Sequence, residues 1–282
     1  MPCRGSFLAT PGRLVVRAFG AVEPGPGGTA APHAGRLRVV ETRGAVALVT
    51  GGAHRVGRAI ALALAGAGCD VFVHYGTSAD EAIATAEEIR SLGVRAAIGS
   101  ADLEDHSAGE ELIAAATEEL GPVTVLVNSA SGFPRDTLLT LDPETFHRTL
   151  HVTLVAPVML TRAFAIALSE DREGVVVNIT DWRTARPYPD HFSYSVAKGA
   201  LDAFTRTAAV ALAPRIRVNA VALGAILPPP GKDSAYLREL AGTLPLRRTG
   251  NPRLIAEAVL YLIGSDFTTG EILRVAGGAH LV

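Results

Sequence analysis

The chain has 282 residues, of which 48% are hydrophobic and 19% are charged, and its formal net charge is −2. This length suits one large globular domain with a buried sheet, and two domains are possible but not required. A net charge near zero gives a polyanion no long-range attraction, so we expect no nucleic-acid partner. No apolar run reaches the roughly 20 residues that span a bilayer, so we expect no membrane partner. Cys3 and Cys69 lie far apart in sequence, which favours a reducing cytoplasm as the location.

The first 43 residues differ from the rest of the chain. Up to position 40 they are rich in arginine, carry Glu23 as their one acid and show no sustained apolar period. We therefore expect residues 1–43 to be a disordered extension that precedes a folded domain over residues 44–282. An arginine-rich transit peptide and a misplaced start codon near Val39 or Val40 both account for this composition.

From Ala45 onward, short apolar runs alternate with longer segments of helical spacing. A helix is predicted after the second run, where Ser78 and Glu81 have the spacing of a capping box. Apolar runs joined by helices indicate parallel strands covered on both faces. We therefore predict a single-domain α/β fold, a doubly wound (Rossmann) sheet of seven parallel strands with ligands at their carboxyl ends. The predicted strands span residues 45–50, 70–75, 94–100, 123–128, 174–180, 215–221 and 271–276.

A glycine-rich turn, TGGAHRVG, follows the first predicted strand and opens a helix. Gly51 and Gly57 let the backbone approach a pyrophosphate, which the N–H groups of the helix N-terminus attract. The turn therefore predicts dinucleotide binding. Arg55 stands where many such loops have a third glycine. It is either a solvated surface arginine or a cation placed between the cofactor phosphates and an anionic or carbonyl-bearing substrate.

The second predicted strand ends in HYGTS, without the acid that would bind the ribose 2′-hydroxyl of NAD. With His54 and Arg55 in the first loop, a 2′-phosphate is better tolerated than excluded, which moderately favours NADP(H) over NAD(H). Ser78 either contacts that phosphate or only caps its helix. Asp102, after the third strand, either meets the adenine amino group or forms a simple turn.

Tyr194 and Lys198 are four residues apart, after the fifth predicted strand. The chain has 26 lysines and arginines, of which only Lys198 and Lys232 are lysines. A compact ammonium is thus kept at Lys198, where a guanidinium fork would not fit beside a tyrosine. We expect this ammonium to favour the phenolate and to lower the pKa of Tyr194 from its usual value of about 10. Tyr194 would then exchange a proton near neutral pH.

Asp181 precedes Tyr194 by thirteen residues, and its negative charge would repel an oxyanion. A carboxylate accepts hydrogen bonds from N–H groups or, when protonated, passes a proton to nitrogen. Pterins and other aminated heterocycles present N–H donors and a C=N bond to reduce. Asp181 therefore suits an imine-type substrate better than a ketone. The alternative is that Asp181 only anchors the loop at Trp182.

These residues resemble the short-chain dehydrogenase/reductase family over residues 44–282. The motifs are TGGAHRVG, NSAS after the fourth strand, YSVAK, and NAVALGAIL after the sixth strand. Arg55, Asp181 and Phe133 resemble the pteridine reductase branch in particular. In that branch the equivalent phenylalanine stacks on the pterin, and the aspartate works with the tyrosine.

The resemblance implies a set of site residues without a metal site. The expected catalytic residues are Asp181, Tyr194 and Lys198. The expected substrate contacts are Arg55, Ser131, Phe133, Asp181 and Tyr194. The expected cofactor contacts are Gly51, His54, Arg55, Val56, Gly57, Tyr75, Ser78, Asp102, Leu103, Asn128, Ala130 and Lys198. A homodimer or homotetramer is also implied, and the helical segment 144–168, apolar nearly all round, favours one independently.

The sequence departs from the family pattern at several positions. Ser129 stands where the family usually has a second asparagine, and Thr153 where a helix asparagine supports the proton relay. Leu223 replaces a proline before glycine, and Ala276 replaces an aspartate. Thr77 stands where the pteridine branch often has an arginine for the 2′-phosphate, which weakens the case for NADP(H).

The leading hypothesis is an NADPH-dependent reductase of a pterin-like C=N bond, with a small-molecule substrate stacked on Phe133. Tyr194 and Asp181 would handle the proton, while Lys198 would hold the nicotinamide ribose. The first alternative is a carbonyl reductase of the same family that acts on a ketone or an oxoacyl group. The second is a catalytically weak dinucleotide-binding protein, which the departures from the family pattern suggest.

Overall fold

The computed structural model describes residues 40–229 and 231–282. The predicted extension, residues 1–43, lies almost wholly outside this part of the chain, as does Cys3. The transit peptide and the internal start codon therefore stay predictions. The described residues belong to one compact unit, Leu37–Val282.

Seven parallel strands form one sheet in the order β3-β2-β1-β4-β5-β6-β7. Each strand coincides with one of the seven apolar runs, so the predicted doubly wound α/β fold is confirmed. The strands are β1 (Val46–Thr50), β2 (Asp70–Tyr75), β3 (Ala96–Ser100), β4 (Val123–Asn128), β5 (Gly174–Asp181), β6 (Ile216–Leu223) and β7 (Ile272–Val275).

Helices connect most successive strands and cover both faces of the sheet. They are α1 (Arg55–Gly66), α2 (Ala79–Ser91), α3 (Ala108–Leu120), α4 (Pro143–Leu150), α5 (Ala156–Ala167), α6 (Phe192–Leu212), α7 (Ser234–Thr243) and α8 (Pro252–Gly264). One turn of π-helix, His151–Val155, joins α4 to α5. Short 3₁₀ turns follow β5 at Trp182–Thr184 and β7 at Ala279–Leu281.

Three of the α-helices in the described part of the chain, α4, α7 and α8, begin with a side-chain cap, whereas the predicted capping box does not form. The Asp142 carboxylate accepts a hydrogen bond from the backbone N–H of Thr145, and Asn251 caps α8 in the same way. Such a cap satisfies a backbone donor that the first turn leaves unpaired. Ser78 lies at the N-terminus of α2, but its side chain makes no capping bond. The capping box predicted from the spacing of Ser78 and Glu81 is therefore wrong.

The core lies on both faces of the sheet, because side chains alternate along each strand. Ala47 and Val49 of β1 point to the face that packs on α1 and α8, whereas Val46 and Leu48 point to the face that packs on α3 and α5. Burial of a Leu or Ile side chain contributes about 1.5–3 kcal/mol. Since both faces of each inner strand are covered, the strand sequences are apolar throughout.

The winding of the sheet reverses between β1 and β4. β1 lies between β2 and β4, so α1, which follows β1, packs on one face, whereas α5, which follows β4, packs on the other. The two connections diverge at the carboxyl ends of the strands and leave a crevice between them. Ligands of doubly wound sheets bind in this kind of crevice.

Two arginines at the start of β6 tie helix ends to the sheet. The Arg215 guanidinium donates to the carbonyl oxygens of Ala165 and Leu168 at the end of α5. The Arg217 guanidinium donates to those of Leu262 and Ile263 at the end of α8. The last carbonyls of a helix have no partner within it, and cations are favoured there. Each arginine therefore satisfies acceptors that would otherwise lack donors.

Within the described residues, one helical stretch, Pro143–Ala167, is long and apolar enough to cross a membrane, with a mean hydropathy of 1.6. The expectation that no run approaches this length is therefore wrong on length and composition. The stretch consists of α4, the π-helical turn and α5, and it packs on α3 and α6. It is thus part of the helical layer on the sheet, and one such helix is weak evidence for a membrane span.

Candidate active site

A cavity of about 710 Å³ opens at the carboxyl ends of the strands. Its walls come from the turn after β1, the segments after β2, β3 and β4, the end of β5, the first turns of α6, and the segment after β6 with α7. It therefore lies in the crevice that the strand order creates. Nine of the twelve predicted cofactor contacts line it, whereas Tyr75, Ser78 and Asn128 do not.

The glycine turn after β1 forms the floor of the cavity. Gly51 has φ +61°, and a Cβ there would lie 3.0 Å from the Ala130 Cα. A Cβ at Gly57 would lie 2.1 Å from the Gly51 carbonyl oxygen, so no side chain fits at that position. The first turn of α1 has no acidic residue, and its N-cap, His54, makes no side-chain capping bond. This end of α1 therefore keeps its N–H groups for an anion, and the turn fits a pyrophosphate.

Arg55 connects the two sides of the cavity. It follows the turn with a left-handed backbone, φ 55°, which is uncommon for a residue other than glycine. Its Nη2 donates to the carbonyl oxygen of Pro228, in the segment after β6, at 2.7 Å. Arg55 is thus neither free in solvent nor committed to a ligand, and it holds the segment after β6 against the cofactor turn.

His74 was missed by sequence reasoning, although its side chain ties the turn after β1 to the segment after β3 at the cavity. Its Nδ1 accepts a hydrogen bond from the Gly51 N–H at 3.2 Å, and its Nε2 lies 3.1 Å from the Ala101 carbonyl oxygen. Because Nδ1 accepts, the ring proton is on Nε2, which donates to Ala101. Burial lowers the pKa of His74 and keeps it neutral. Alternation along β2 points Tyr75 to the opposite face, onto the α1 layer.

The other segments at this end contain backbone and small side chains. No acid follows β2, where Gly76 and Thr77 line the cavity instead. Asp102 lines it too, but its Oδ1 accepts from the Glu104 N–H at 2.9 Å, so the turn role holds and the adenine contact stays a prediction. Leu103 lies beside it.

Asn128 ends β4 but does not reach the cavity. Its Nδ2 donates to Asn178 Oδ1 at 2.8 Å, and Asn178 Nδ2 donates to Thr205 Oγ1 at 2.9 Å. All three side chains are buried, so this chain of polar groups ties β4, β5 and α6 together below the site. The predicted contact of the Asn128 side chain with the cofactor is not supported. The next residues, Ser129 and Ala130, line the cavity, with their N–H groups bonded to Thr50 Oγ1.

The predicted catalytic residues meet at the inner end of the cavity. The Tyr194 hydroxyl donates to Asp181 Oδ2 at 2.9 Å, and Lys198 Nζ donates to the carbonyl oxygen of Ile179 at 2.6 Å. β5 ends at Asp181, while Tyr194 and Lys198 lie on one face of α6 because they are four residues apart. The arrangement places a proton donor, a carboxylate and an ammonium around one point.

The electrostatics of this group contradict one expectation. Burial raises the pKa of Tyr194 well above its usual value, and the charge of Asp181 and the hydrogen bond to it raise it further. Burial lowers the pKa of Lys198 from 10.5 to about 8, against Asp181 and Asp202, which raise it. The prediction that Lys198 lowers the pKa of Tyr194 is therefore wrong, because loss of solvation and the carboxylate dominate. Tyr194 therefore keeps its proton at neutral pH, where its hydroxyl is a potential proton donor.

Asp181 anchors a turn and also reaches the cavity, so its contact with the substrate stays a prediction. Its Oδ1 accepts from the Arg183 N–H at 2.9 Å, which anchors the turn at Trp182. Its Oδ2 contacts Tyr194 in the cavity. Burial raises the pKa of Asp181, while the guanidinium and N–H of Arg183, the Tyr194 hydroxyl and Lys198 hold it down. The carboxyl is therefore a group that can gain a proton nearer to neutral pH than an exposed aspartate.

Phe133 stands at the substrate end, but one of its faces is covered. The His191 ring stacks on it with centroids 3.7 Å apart and an interplanar angle of 17°. Tyr194 contacts its edge at 4.7 Å between centroids. A substrate ring that stacks on Phe133 must therefore use the face away from His191. His191 itself is held by Nδ1, 2.6 Å from the Pro134 carbonyl oxygen.

Two departures from the family pattern have local explanations. Thr153 is buried in the π-helical turn, and its hydroxyl lies 3.1 Å from Ser131 Oγ, so it orders the segment after β4. Ala276 packs against Gly224, where an added Cβ would lie 2.5 Å from the Ala276 Cα. Sequence reasoning also left several residues of the cavity wall unassigned, three of them within the motif NAVALGAIL. They are Ile179, Trp182, Arg183, Ala225, Ile226, Leu227, Pro229, Tyr236, Leu237 and Leu240.

The chain is similar to several reductases. A family described as "Enoyl-(Acyl carrier protein) reductase" matches residues 51–280. The 3-oxoacyl-[acyl-carrier-protein] reductase of Synechocystis sp. is 32% identical over 238 residues, which are 83% of this chain and 96% of that protein. The crystal structure of FolM Alternative dihydrofolate reductase 1 from Brucella canis, complexed with NADP, is 39% identical with a TM-score of 0.82, covering 86% of this chain and 96% of that chain.

A blue fluorescent protein from a metagenomic library, solved in complex with NADPH, is 32% identical with a TM-score of 0.78, covering 84% of this chain and 98% of that chain. These matches extend over nearly the whole of each relative. The matched part of this chain contains the glycine turn, the residues of the cavity and the Tyr194–Lys198 pair in one continuous domain. The chain is therefore an NAD(P)-dependent oxidoreductase that belongs to the short-chain dehydrogenase/reductase family.

Proposed function

We propose that this chain is an NADPH-dependent reductase of a pterin-like C=N bond in a small-molecule substrate. The observation that carries the proposal is the hydrogen bond from Tyr194 to the carboxylate of Asp181 inside the cavity. An oxyanion forming beside this carboxylate would be repelled, whereas a nitrogen that takes up a proton, or an N–H donor, would be favoured. A C=N bond in a nitrogen-rich ring has both features.

The residues around the dyad account for the proton side of this reaction. Reduction of a C=N bond needs a hydride on carbon and a proton on nitrogen, and the reduced nicotinamide supplies the hydride when it is bound. Tyr194, whose pKa is raised by burial, keeps its proton at neutral pH and donates it to the ring nitrogen. Lys198 Nζ, 5.5 Å from the Tyr194 ring centroid, then stabilises the phenolate. Asp181 accepts a hydrogen bond from an N–H group of the substrate ring and so orients the ring.

We propose that the cofactor is NADP(H), held with a moderate preference over NAD(H). Gly51 and Gly57 shape the floor on which the pyrophosphate would lie, and the N-terminus of α1 faces it. No acid follows β2 to oppose a 2′-phosphate, and His54 and Arg55 line the same end of the cavity. The related FolM structure was solved with NADP, which supports this choice.

Similarity to relatives supports the substrate class and also a second candidate. The alternative dihydrofolate reductase of Brucella canis has a name that implies a pterin-containing substrate. The 3-oxoacyl reductase of Synechocystis sp. favours reduction of a ketone instead. The carboxylate at Asp181 favours the nitrogen-rich ring, because it accepts hydrogen bonds from N–H groups and offers none to a carbonyl oxygen.

A substrate panel tests the proposed function. The wild-type chain should reduce a 7,8-dihydropteridine with NADPH at a higher kcat/KM than it reduces 2-pentanone or ethyl acetoacetate. The reverse order would replace the proposed function by carbonyl reduction. NADPH binding without turnover of any of these compounds would instead support a catalytically weak dinucleotide-binding protein.

We also propose a homodimer or homotetramer. Several large apolar side chains of α5 and α6 are exposed in the single chain, among them Ile166 and Val210, which are 68% and 83% exposed. Exposed apolar helix faces of this kind are usually covered by a partner. Light scattering at micromolar concentration should give at least twice the mass of one chain, and a monomer mass would contradict the proposal.

The remaining expectations concern the environment of the protein. We propose a cytoplasmic location with no nucleic-acid or membrane partner, as the net charge of −2 and the cysteine usage suggest. Cys69 is buried, and burial raises the pKa of its thiol to about 12. An inert core cysteine of this kind is compatible with a reducing compartment.

A further inference from the structure

Arg183 occupies an unusual place at the substrate end of the cavity. It lies in the turn directly after Asp181 and lines the cavity, with only 13% of its side chain exposed. Its Cζ lies 5.2 Å from the ring centroid of Trp182, 5.6 Å from that of Phe133 and 5.8 Å from that of Tyr188. Three aromatic rings thus hold the guanidinium beside the catalytic dyad.

The guanidinium has no hydrogen-bond acceptor in residues 40–229 and 231–282. Its Nη1 lies 3.8 Å from Asp181 Oδ1, beyond hydrogen-bonding distance. Its Nε is buried without a partner. A guanidinium carries five N–H donors and always keeps its charge. Leaving the buried Nε–H unpaired is unfavourable, and the Nη donors at the cavity wall have no acceptor within the described residues, so the guanidinium is free to take an acceptor from outside the chain.

Other partly buried arginines of this fold do not show this deficit. Arg215 and Arg217 each donate to two or more carbonyl oxygens at helix ends. Even Arg55, which is exposed, donates to the carbonyl oxygen of Pro228. The chain thus pairs its cations where they serve the structure, and Arg183, which faces the cavity, is left for a ligand.

We propose that Arg183 is a specificity-determining residue that donates to a carbonyl or carboxylate oxygen of the substrate, next to the bond that is reduced. With Asp181 beside it, the site then offers a hydrogen-bond acceptor and a hydrogen-bond donor side by side. A ring or chain that presents an N–H or C=N group together with an oxygen acceptor matches both. The inference rests on the proposed function only in that the substrate is reduced at Tyr194.

The acceptor oxygen has two possible sources, and ligands can separate them. A 6-methyl-7,8-dihydropterin carries a ring carbonyl, and 7,8-dihydrofolate carries the same carbonyl together with tail carboxylates. Binding to the complex of the protein with NADP⁺, measured by calorimetry, needs no turnover. Arg183→Met keeps an unbranched stem among the three rings but removes every donor. Arg183→Lys keeps the charge without the fork and serves if the methionine variant does not fold.

We expect Arg183→Met to weaken binding of the ligand that supplies the acceptor by about 10- to 100-fold, as for the loss of a charge-assisted hydrogen bond. Loss for both ligands identifies the ring carbonyl, and loss for dihydrofolate alone identifies the carboxylate. Arg183→Lys should recover part of the affinity. Arg186→Met is the matched control, because Arg186 is exposed in the same segment and its guanidinium also lies over the Tyr188 ring, without lining the cavity. The control should bind both ligands as the wild type does.

The outcome separates this inference from the proposed function. If the wild type prefers ketones, the same variants are compared on ethyl acetoacetate, which has a second carbonyl, and on 2-pentanone, which lacks one. Arg183→Met should then lower kcat/KM for the first and leave the second unchanged. Equal effects on both ketones would assign Arg183 to support of Asp181 and overturn the inference. Unchanged binding of every ligand, or weaker binding of NADP⁺ itself, would overturn it as well.

Discussion

Replacement of Asp181 by serine is the sharpest test of the proposed chemistry. Asp181 is 3% exposed and accepts from the Tyr194 hydroxyl at 2.9 Å. A serine hydroxyl is one bond shorter and carries no charge, so it does not reach Tyr194 in the same way and attracts an N–H donor less strongly than a carboxylate does. We therefore expect reduction of a dihydropteridine to fall, whereas reduction of a small ketone should hold or rise.

The size of this effect follows from the position of Asp181 in the dyad. Loss of acid–base help typically lowers the rate about 10²- to 10⁴-fold, which corresponds to about 2.7–5.4 kcal/mol of transition-state stabilisation. Removal of the carboxylate also removes one cause of the raised pKa of Tyr194, although burial remains the larger cause. The affinity for NADPH should change little, because Asp181 lies at the substrate end.

The assay is kcat/KM for a dihydropteridine and for 2-pentanone with NADPH. Asp181→Asn is the matched control, since its amide oxygen can still accept from the Arg183 N–H and anchor the turn. It should lose pterin reduction as the serine variant does. Tyr194→Phe should depress both reactions, because both need its proton.

Two results would refute this reasoning. Intact pterin turnover in Asp181→Ser would leave the carboxylate as an anchor for the Trp182 turn only. Loss in the serine variant with full activity in Asp181→Asn would assign the effect to the turn, not to the charge. In either case the choice of a nitrogen-rich substrate would lose its main physical support.

Three further predictions concern the cofactor, the fold and pH. NADPH should bind about 10-fold more tightly than NADH. This factor is at the low end of the effect of a charge-assisted hydrogen bond, because Thr77 brings no cation to the 2′-phosphate. Equal dissociation constants for the two cofactors would contradict this prediction. Arg217→Met should lower the free energy of unfolding in urea by about 1–3 kcal/mol, since it leaves carbonyls at the end of α8 without donors, and an unchanged midpoint would remove that role. Lys198 has a folded-state pKa of about 8, below the ordinary 10.5, so the unfolded chain binds more protons between these values and stability should rise with pH above about 8. The rise in stability is best measured below pH 9, before the Cys69 thiol ionises in the unfolded chain. Lys198→Met should abolish the rise. A wild-type stability that is flat from pH 8 to 9 would contradict the lowered pKa of Lys198.

Much of the fold could be read from local pattern alone. Each of the seven apolar runs is a strand, because a strand covered on both faces must be apolar throughout. The glycine turn was also predictable from neighbouring residues, because a Cβ at Gly57 would collide with the Gly51 carbonyl oxygen. The capping box predicted at Ser78 does not form, because the spacing of two residues alone does not bring a hydroxyl within hydrogen-bonding distance of a backbone N–H.

Site residues were predictable where a motif marks them and unpredictable where the contact comes from packing. Tyr194, Lys198 and Asp181 belong to one stretch of sequence, and the structure brings them together. His74 was passed over for Tyr75 because the direction of each side chain depends on which face of β2 meets α1. Asn128 was assigned to the cofactor, but its neighbours in β5 and α6 bind its side chain in the interior.

The sequence by itself determined the element types, the glycine turn, the Tyr194–Lys198 spacing and the carboxylate at Asp181, because each depends on residues close together in the chain. Only the tertiary structure decided how these groups behave. Burial of Tyr194 beside Asp181 raises its pKa where the Lys198 spacing alone predicted a lower value. Of the three rings around Arg183, Trp182 and Tyr188 lie in its own segment, but Phe133 is some fifty residues away in the chain and only packing brings it there. Desolvation and cavity walls are properties of the packed chain, so no local pattern could have revealed them.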